Sequence, residues 1–403
     1  MITPDTAWGI VAEQLSPLER VVLPLTQAMH CCLAEDIRAD RDLPPADRSA
    51  MDGYAVRRAD LQQSPCVLCV TGEVAAGSPC RQRVKPGCCL RVFTGANIPP
   101  GADTVVMVEQ TKECDGVVTI RSDVNSASNI LRRGEDARKG TVLLPRGSRL
   151  GAAAIGVCAS VGKSSVKVHR QPRVAILCTG SELRPIHGRA GLHEIRNSNG
   201  PALSVALAEW GFPGARFQSV ADQRGVLLAA LRRALTSSDV VLFTGGISAG
   251  SYDFVRSAVE TAGATIHFHG LAMKPGKPVL YATAPSGQHV FGLPGNPLAA
   301  LTAFHEFALP ALRRLAGHPL EACRPSWSLP LAADVESRGG RVRCELARLV
   351  SGDGRLAVRP VPSHSSADLA SAGCADGVIV LPPIRKRFTV GEPVKFRPWR
   401  PLP

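Results

Sequence analysis

Between Pro172 and Leu315 short apolar runs alternate with amphipathic stretches of helical length, and this alternation restricts the chain more than any other feature. The runs are residues 174–178, 215–220, 240–243, 265–269, 279–282 and 289–292. Residues 201–210, 223–235 and 252–262 read as helices between most of them, and a last helix is expected over 297–315. Strands that are apolar along their whole length are buried on both faces. Intervening helices are long enough to carry the chain back for a parallel partner, so the pattern predicts a mostly parallel, doubly wound sheet. In such a sheet a ligand lies beyond the carboxyl ends of the strands.

The flanking regions differ in character. Residues 4–36 read as helical, with Trp8, Val11, Ala12 and Leu15 on one face and a second helical stretch at 25–34. Over 43–139 short β-rich runs (67–70, 105–108, 117–120) alternate with Gly/Pro turns. Residues 143–167 return to Ala/Gly/Val-rich sequence, which makes 43–139 an insertion. Beyond Pro325 the runs 342–350, 356–361, 377–381 and 393–397 predict a small β-domain. The expected fold class is therefore multidomain α/β and β. Its divisions are an N-terminal region of 1–42 with 140–168, a β-rich insertion over 43–139, a central α/β domain over 169–322, and a C-terminal β-domain over 323–403.

Composition narrows the function classes. The formal net charge is +13, but no run of five basic residues occurs, so the charge reads as mild steering for anions and no nucleic-acid partner is expected. Aromatics at 4% argue against base stacking on single strands. No apolar run reaches the length of a membrane span, and Met1–Asp5 lack the basic and apolar parts of a signal peptide. The expectation is a cytoplasmic protein without a membrane partner. Thirteen cysteines are present. That number is odd, Cys31-Cys32 and Cys88-Cys89 are adjacent pairs, and no CxxC spacing for zinc appears; they read as buried thiols acting as small hydrophobes.

The segments after the strands are polar or glycine-rich. Asn296 is a good N-cap and Pro297 suits the first helical position, so the Pro294-Gly295-Asn296-Pro297 turn predicts a helix start whose N–H groups face the crevice. Taken alone it is equally a plain tight turn. Gly245, Gly246 and Gly250 in the 244–253 loop allow a backbone nest, with Ser251 capping the next helix, and Ser248 of the same segment is a further substrate-binding candidate. The loop matches neither a Walker A sequence nor GxGxxG.

The lysines are the sharpest local signal. Only nine of the 47 basic residues are lysine, and between Lys167 and Lys386 the only two are Lys274 and Lys277, in Lys274-Pro275-Gly276-Lys277-Pro278. A compact ammonium is selected there over a guanidinium. Each precedes a proline, and in a polyproline-like path both would point the same way, as a clamp on phosphate or another oxyanion. Glu182, Asp222 and Asp253 share the same rim. Acids beside an anion site are reconciled by a hard divalent cation, which takes oxygens from carboxylates and phosphates together, so Mg²⁺ is the expected cofactor.

In the insertion, Ser49-Ala50-Met51-Asp52-Gly53-Tyr54-Ala55, Phe93-Thr94-Gly95-Ala96 and Gly134-Glu135-Asp136 read locally as ordinary turns. Together with Asn197-Ser198-Asn199, Thr244-Gly245-Gly246, the lysine motif and Gly292-Leu293-Pro294-Gly295-Asn296-Pro297, and in this order, they resemble the bacterial molybdopterin molybdenumtransferase family (MoeA type), which is similar to the C-terminal part of gephyrin. The resemblance spans nearly the whole chain. It implies four domains and an elongated homodimer, with the active site between the α/β domain of one subunit and the insertion of the other. It implies insertion of molybdenum from molybdate into adenylylated molybdopterin (molybdopterin-AMP), with release of AMP. It also implies functional roles for Asp52, Thr94 and Asp136, and for Glu182, Asp222, Asp253, Lys274, Lys277, Pro294 and Pro297. The molybdopterin adenylyltransferase of the same pathway and downstream molybdoenzyme maturation proteins are the expected protein partners. The chain departs from the family pattern at Ser181 and Ser251, where members often carry acids, and at Ala299, where they often carry serine.

Three other readings compete. An adenylyltransferase using ATP would share the α/β domain but need neither the insertion nor the C-terminal β-domain. A non-catalytic scaffold could dispense with the lysines and acids, all of which are present. A nucleic-acid binder predicts clustered positive charge, which the sequence lacks.

Overall fold

The computed structural model describes residues 1–63, 65–121, 128–247, 254–337, 339–352 and 354–401. The chain divides into two compact units. One comprises Met1–Glu35, Gly147–Gly151 and Ser165–Pro403, the other Asp36–Arg146 and Ala152–Ser164.

In the first unit the six expected strands form one sheet, in the order Arg216–Val220, Val174–Thr179, Val240–Thr244, His289–Leu293, Leu280–Thr283, Thr265–His269. The first four are mutually parallel, and Leu280–Thr283 runs antiparallel to both of its neighbours. Helices Asn199–Glu209, Arg224–Ser237 and Phe254–Thr261 connect strands. The last helical run proceeds as Pro297–Ala303, a π-helical turn at Phe304–Ala308, and Leu309–Leu315. Apolar side chains pack on both faces of the sheet. Ile176, Leu242, Phe291 and Leu293 join the helices of one side, while Leu177, Val241, Phe243 and Val290 join those of the other. This double burial explains why the strands read as continuous apolar runs.

The same unit holds a second six-stranded sheet, in which Val342–Gly352 pairs with Gly377–Leu381 and Arg355–Pro360, and Trp327–Pro330 forms the far edge. Sequence patterning had not marked Trp327–Pro330. The opposite edge is Met273–Lys274, which pairs in parallel with Val342 and Arg343. The lysine motif is thus stitched to the C-terminal sheet, a connection no local pattern announces.

The N-terminal expectation needs correction. A helix covers Pro4–Glu13, capped by the Thr3 hydroxyl, but residues 25–34 hold only a 3-10 turn, Leu25–Gln27. Arg20–Pro24 is instead a strand antiparallel to Ser165–His169, and Cys32 and Leu33 form bridges to Arg149 and Val168. Backbone pairing with distant segments overrides the apolar spacing, and His30 at φ 67° breaks any helical path.

In the second unit a third six-stranded sheet contains the expected runs as Cys66–Val74, Thr104–Met107 and Val117–Ile120. Its strand Gly53–Val56 is buried throughout and paired on both sides, with Cys88–Val92 and Thr104–Met107. A Cβ on Gly53 would collide with the Val106 carbonyl oxygen, which is why glycine follows Asp52.

All cysteines are free thiols. Eight are buried, as expected. Cys69, Cys114 and Cys374 are exposed and Cys80 and Cys88 half-exposed, which corrects the view of them all as core residues. Among the described residues no helix is long and apolar enough to cross a membrane.

Candidate active site

Beyond the carboxyl ends of the parallel strands lies a cleft of about 560 Å³. It gathers Glu182, Asp222, Gly245, Gly246, Lys274, Lys277, Pro294, Gly295, Asn296 and Pro297 into one lining. Ser248 and Asp253, with Gly250 and Ser251, lie outside the described residues.

Each wall has a local cause. Val174–Thr179 delivers Thr179 to the floor, and its hydroxyl donates to Asp222 Oδ1 at 2.5 Å, fixing the acid that follows the neighbouring strand. Gly245 has φ +88°, and a Cβ there would strike the Thr179 carbonyl oxygen, so only glycine lets the loop after Val240–Thr244 press onto the strand beside it. The Asn197-Ser198-Asn199 motif has a mechanical role. Buried Asn197 accepts from the Gly200 N–H at 3.1 Å, and Asn199 Nδ2 donates to the Gly295 carbonyl at 2.8 Å. That bond ties one helix start to the Pro294–Pro297 turn.

Two details differ from the sequence reading. Asn296 does not cap its helix with its side chain; Nδ2 donates to Ser366 Oγ at 2.7 Å, and the Ala299 N–H is taken by the Ser366 carbonyl at 3.1 Å. Backbone donors of the first turn are therefore partly satisfied by the C-terminal domain. The lysine motif is not a polyproline path either. Gly276 sits at φ +103° and the Lys274–Pro275 peptide is cis. Both lysines still line the cleft, and the chain doubles back within the motif, with the Leu271 N–H donating to the Lys277 carbonyl at 2.8 Å.

The electrostatics are unusual in being unanswered. Among the described residues neither lysine forms an ion pair, and the Glu182 carboxylate has no hydrogen-bond partner. The C-terminal domain adds Arg341, Ser366 and Ala367 to the lining, and sequence reasoning missed all three. Their only signal would have been the Gly339-Gly340 turn ahead of Arg341, which is too common to interpret. Three cationic side chains thus face two carboxylates across one cleft.

A hard divalent cation suits this donor set. Among the described residues Glu182 is unpartnered and Asp222 engages Thr179 only through Oδ1, which leaves carboxylate oxygens available beside Lys274 and Lys277. No group of three or more His, Cys, Asp or Glu side chains suited to a metal occurs among the described residues, so most of the coordination would come from substrate oxygens and water.

In the second unit Asp52 and Thr94 meet directly. The Thr94 N–H donates to Asp52 Oδ1 at 2.6 Å and the Thr94 hydroxyl to the same atom at 2.8 Å. These donors, the backbone one foremost, hold the Asp52 carboxyl below the usual carboxylate range. Asp136 is exposed in a turn anchored by its N–H to the Leu43 carbonyl, and no hydrogen bond joins it to Asp52 or Thr94.

Three family descriptions match successive parts of the chain: MoeA N-terminal region (domain I and II) over residues 2–162, probable molybdopterin binding domain over 175–314, and MoeA C-terminal region (domain IV) over 328–399. A molybdopterin molybdenumtransferase of Staphylococcus aureus is 32% identical over 388 residues, 95% of this chain and 92% of that protein. One of Staphylococcus epidermidis is 31% identical over 387 residues, again 95% of this chain and 92% of that protein. Among solved structures, a molybdopterin biosynthesis MoeA protein of Pyrococcus horikoshii is 30% identical with a TM-score of 0.76, covering 100% of both chains. A second structure from the same organism gives 27% identity and a TM-score of 0.82, covering 99% of this chain and 100% of that one.

Proposed function

The chain belongs to the molybdopterin molybdenumtransferase (MoeA) family, and from that premise we propose that its cleft binds molybdopterin-AMP and molybdate and uses its unpaired cations to drive molybdenum insertion with release of AMP. It is an enzyme of molybdenum cofactor biosynthesis. The observation that carries the reading is the pair of lysines left without ion-pair partners beside two carboxylates in one cleft.

Both reactants are anions. Lys274 and Lys277, with Arg341 across the cleft, attract their oxyanions, and the Ser366 hydroxyl offers a neutral hydrogen bond. As the adenylyl phosphoanhydride opens, negative charge grows on phosphate oxygens, and ammonium groups already in place stabilise it without reorganisation. Gly245, Gly246 and the Pro294–Pro297 turn present close backbone to the pterin-nucleotide end; Ser248, also expected there from the sequence, lies outside the described residues. Glu182 and Asp222 would hold Mg²⁺, directly or through water; Asp253, the third acid expected from the sequence, lies outside the described residues. When bound, Mg²⁺ supplies charge neutralisation that lets acids and phosphates share the site. Asp52, kept ionised by Thr94, and Asp136 orient molybdate or its water from the insertion of a second subunit. We assign the working state as a homodimer in the cytoplasm, receiving substrate from the adenylyltransferase of the same pathway and supplying downstream molybdoenzyme maturation proteins.

The direct test is AMP release from molybdopterin-AMP, with and without molybdate and Mg²⁺. Turnover requiring both, and lost in the Lys274→Ala, Lys277→Ala double variant, is expected; unchanged turnover in that variant refutes the clamp. Sharing of the site between subunits is read by mixing Asp52→Ala and Lys274→Ala chains. A twofold dimer has two composite sites, so random mixing restores about a quarter of wild-type activity, whereas sites confined to one chain restore none.

A further inference from the structure

We infer that Cys69 and Cys88 form a two-thiolate site for a soft, thiophilic monovalent cation of the Cu(I) class, separate from the cleft. The register of the insertion sheet carries the proposal. Cys69 lies directly beside Cys88 on parallel neighbouring strands, Cys66–Val74 and Cys88–Val92. Residues paired in this way project from the same face. It is the outward face, because Cys69 is exposed and Cys88 half-exposed while the flanking Leu68 and Cys89 are buried. The row continues through Val117, paired with Cys69, to Cys114, paired with Val117 and also exposed.

Magnitudes decide what such a pair can hold. Neighbouring strands stand ~4.8 Å apart, and two side chains leaving in the same direction keep roughly that separation. A disulfide needs its Cβ atoms at ~3.8 Å and its sulfurs at ~2.05 Å, so the pair is splayed for a direct bond. Taking the ~2.3 Å zinc–thiolate distance as the scale for a metal–sulfur bond, an ion between two thiolates spans up to ~4.6 Å, close to the strand spacing. Cys114, with Val117 intervening, stands two strands from Cys69 and is too far to join, so the coordination number is two. No group of three ligating side chains occurs among the described residues. Two sulfur ligands and no oxygen or imidazole select a soft ion over Zn²⁺ or Mg²⁺. Both thiols lose their protons to solvent on binding, so affinity rises with pH.

The test is a titration of the reduced full-length protein with Cu(I) against bathocuproine disulfonate, a coloured competing chelator. Wild type, Cys114→Ser and Cys374→Ser should each withhold about one equivalent, and Cys69→Ser and Cys88→Ser should each bind more weakly by well over the roughly tenfold that loss of a supporting contact costs. Far-UV circular dichroism shows that each variant is folded. Equal binding by wild type, Cys69→Ser and Cys88→Ser overturns the site, as does equal loss in Cys114→Ser. Mild oxidation with diamide followed by peptide mapping probes the spacing independently: a Cys69–Cys88 cross-link formed as readily as in an unfolded control overturns it, and resistance to cross-linking supports it.

Discussion

The cleft of the α/β region and the Asp52–Thr94 corner of the insertion sheet both carry charged side chains, but they treat them in opposite ways. In the corner, two Thr94 donors converge on one Asp52 oxygen, and the carboxyl is held ionised by its own chain. In the cleft, Lys274, Lys277 and Glu182 have no partner among the described residues. A charge answered within the chain contributes to the fold and presents a fixed geometry. An unanswered charge in a concave site contributes little to the fold, and its interaction energy is realised only when a ligand arrives. The buried Glu306, held between Arg324 and Arg397, is an extreme case of the first kind. The contrast separates charges fixed in place by the chain from charges left open for a ligand, and Asp52 shows that a fixed charge can still serve a site.

Removing the unanswered charges should therefore have the largest functional effect and almost no structural one. Lys274→Ala with Lys277→Ala is expected to lower kcat/KM for AMP release by about a hundredfold or more, the range seen when a preorganised donor to developing charge is lost. The melting temperature should stay close to wild type. A large fall in melting temperature would mean that the lysines belong to the fold, and the contrast would fail. Gly245→Ala attacks the cleft from its frame. A side chain at φ +88° costs on the order of 1–3 kcal/mol, and the collision with the Thr179 carbonyl adds to it. Denaturant unfolding should show this loss, with activity falling in parallel because the loop cannot seat against its strand.

The answered charge should behave in the reverse sense. The folded state lowers the Asp52 pKa, so the stability this carboxylate contributes is present above its unfolded value of ~3.9 and is lost as pH falls through the folded value. Wild type should melt above Asp52→Asn at neutral pH, and the two curves should converge in acid. A gap that stays constant from pH 7 to below the carboxylate range would show that Asp52 is held by something other than its charge.

The legibility of the chain follows the same division. The central strands of the α/β sheet were readable because burial on both faces leaves apolar runs that local sequence displays, whereas the edge strands Arg216–Val220 and Thr265–His269 are largely exposed or half-buried and were readable from their place between helical stretches. The cleft segments were readable because ligand crevices follow from strand ends, and because two lysines in an arginine-rich chain stand out. What stayed hidden depends on long-range backbone pairing. The strand at Arg20–Pro24 exists because of Ser165–His169. Arg341 and Ser366 reach the cleft because Met273–Lys274 pairs with Val342 and Arg343 and because Ser366 meets the Asn296 turn. None of these partners leaves a periodicity. The Asn296 side chain was misread for the same reason: the capping residue was evident in the sequence, the competing hydroxyl seventy residues away was not.

That hydroxyl gives the smallest and most discriminating test. Ser366 does two things at the cleft: its Oγ accepts from Asn296 Nδ2, and its carbonyl accepts from the Ala299 N–H. Ser366→Ala removes only the first. Asn296 is exposed, so water can replace the lost acceptor, and the cost to the fold should stay within the ~0.5–1.5 kcal/mol of an ordinary hydrogen bond. If Ser366 only positions the turn, kcat and KM for molybdopterin-AMP should shift together and slightly, and the dependence on molybdate concentration should be unchanged. If its hydroxyl instead contacts an oxyanion beside Lys277 and Arg341, the KM for molybdate should rise several-fold with molybdopterin-AMP binding intact. The second outcome would make the Ser366 hydroxyl a direct ligand contact beside Arg341, the other residue that the C-terminal domain contributes to the anion site.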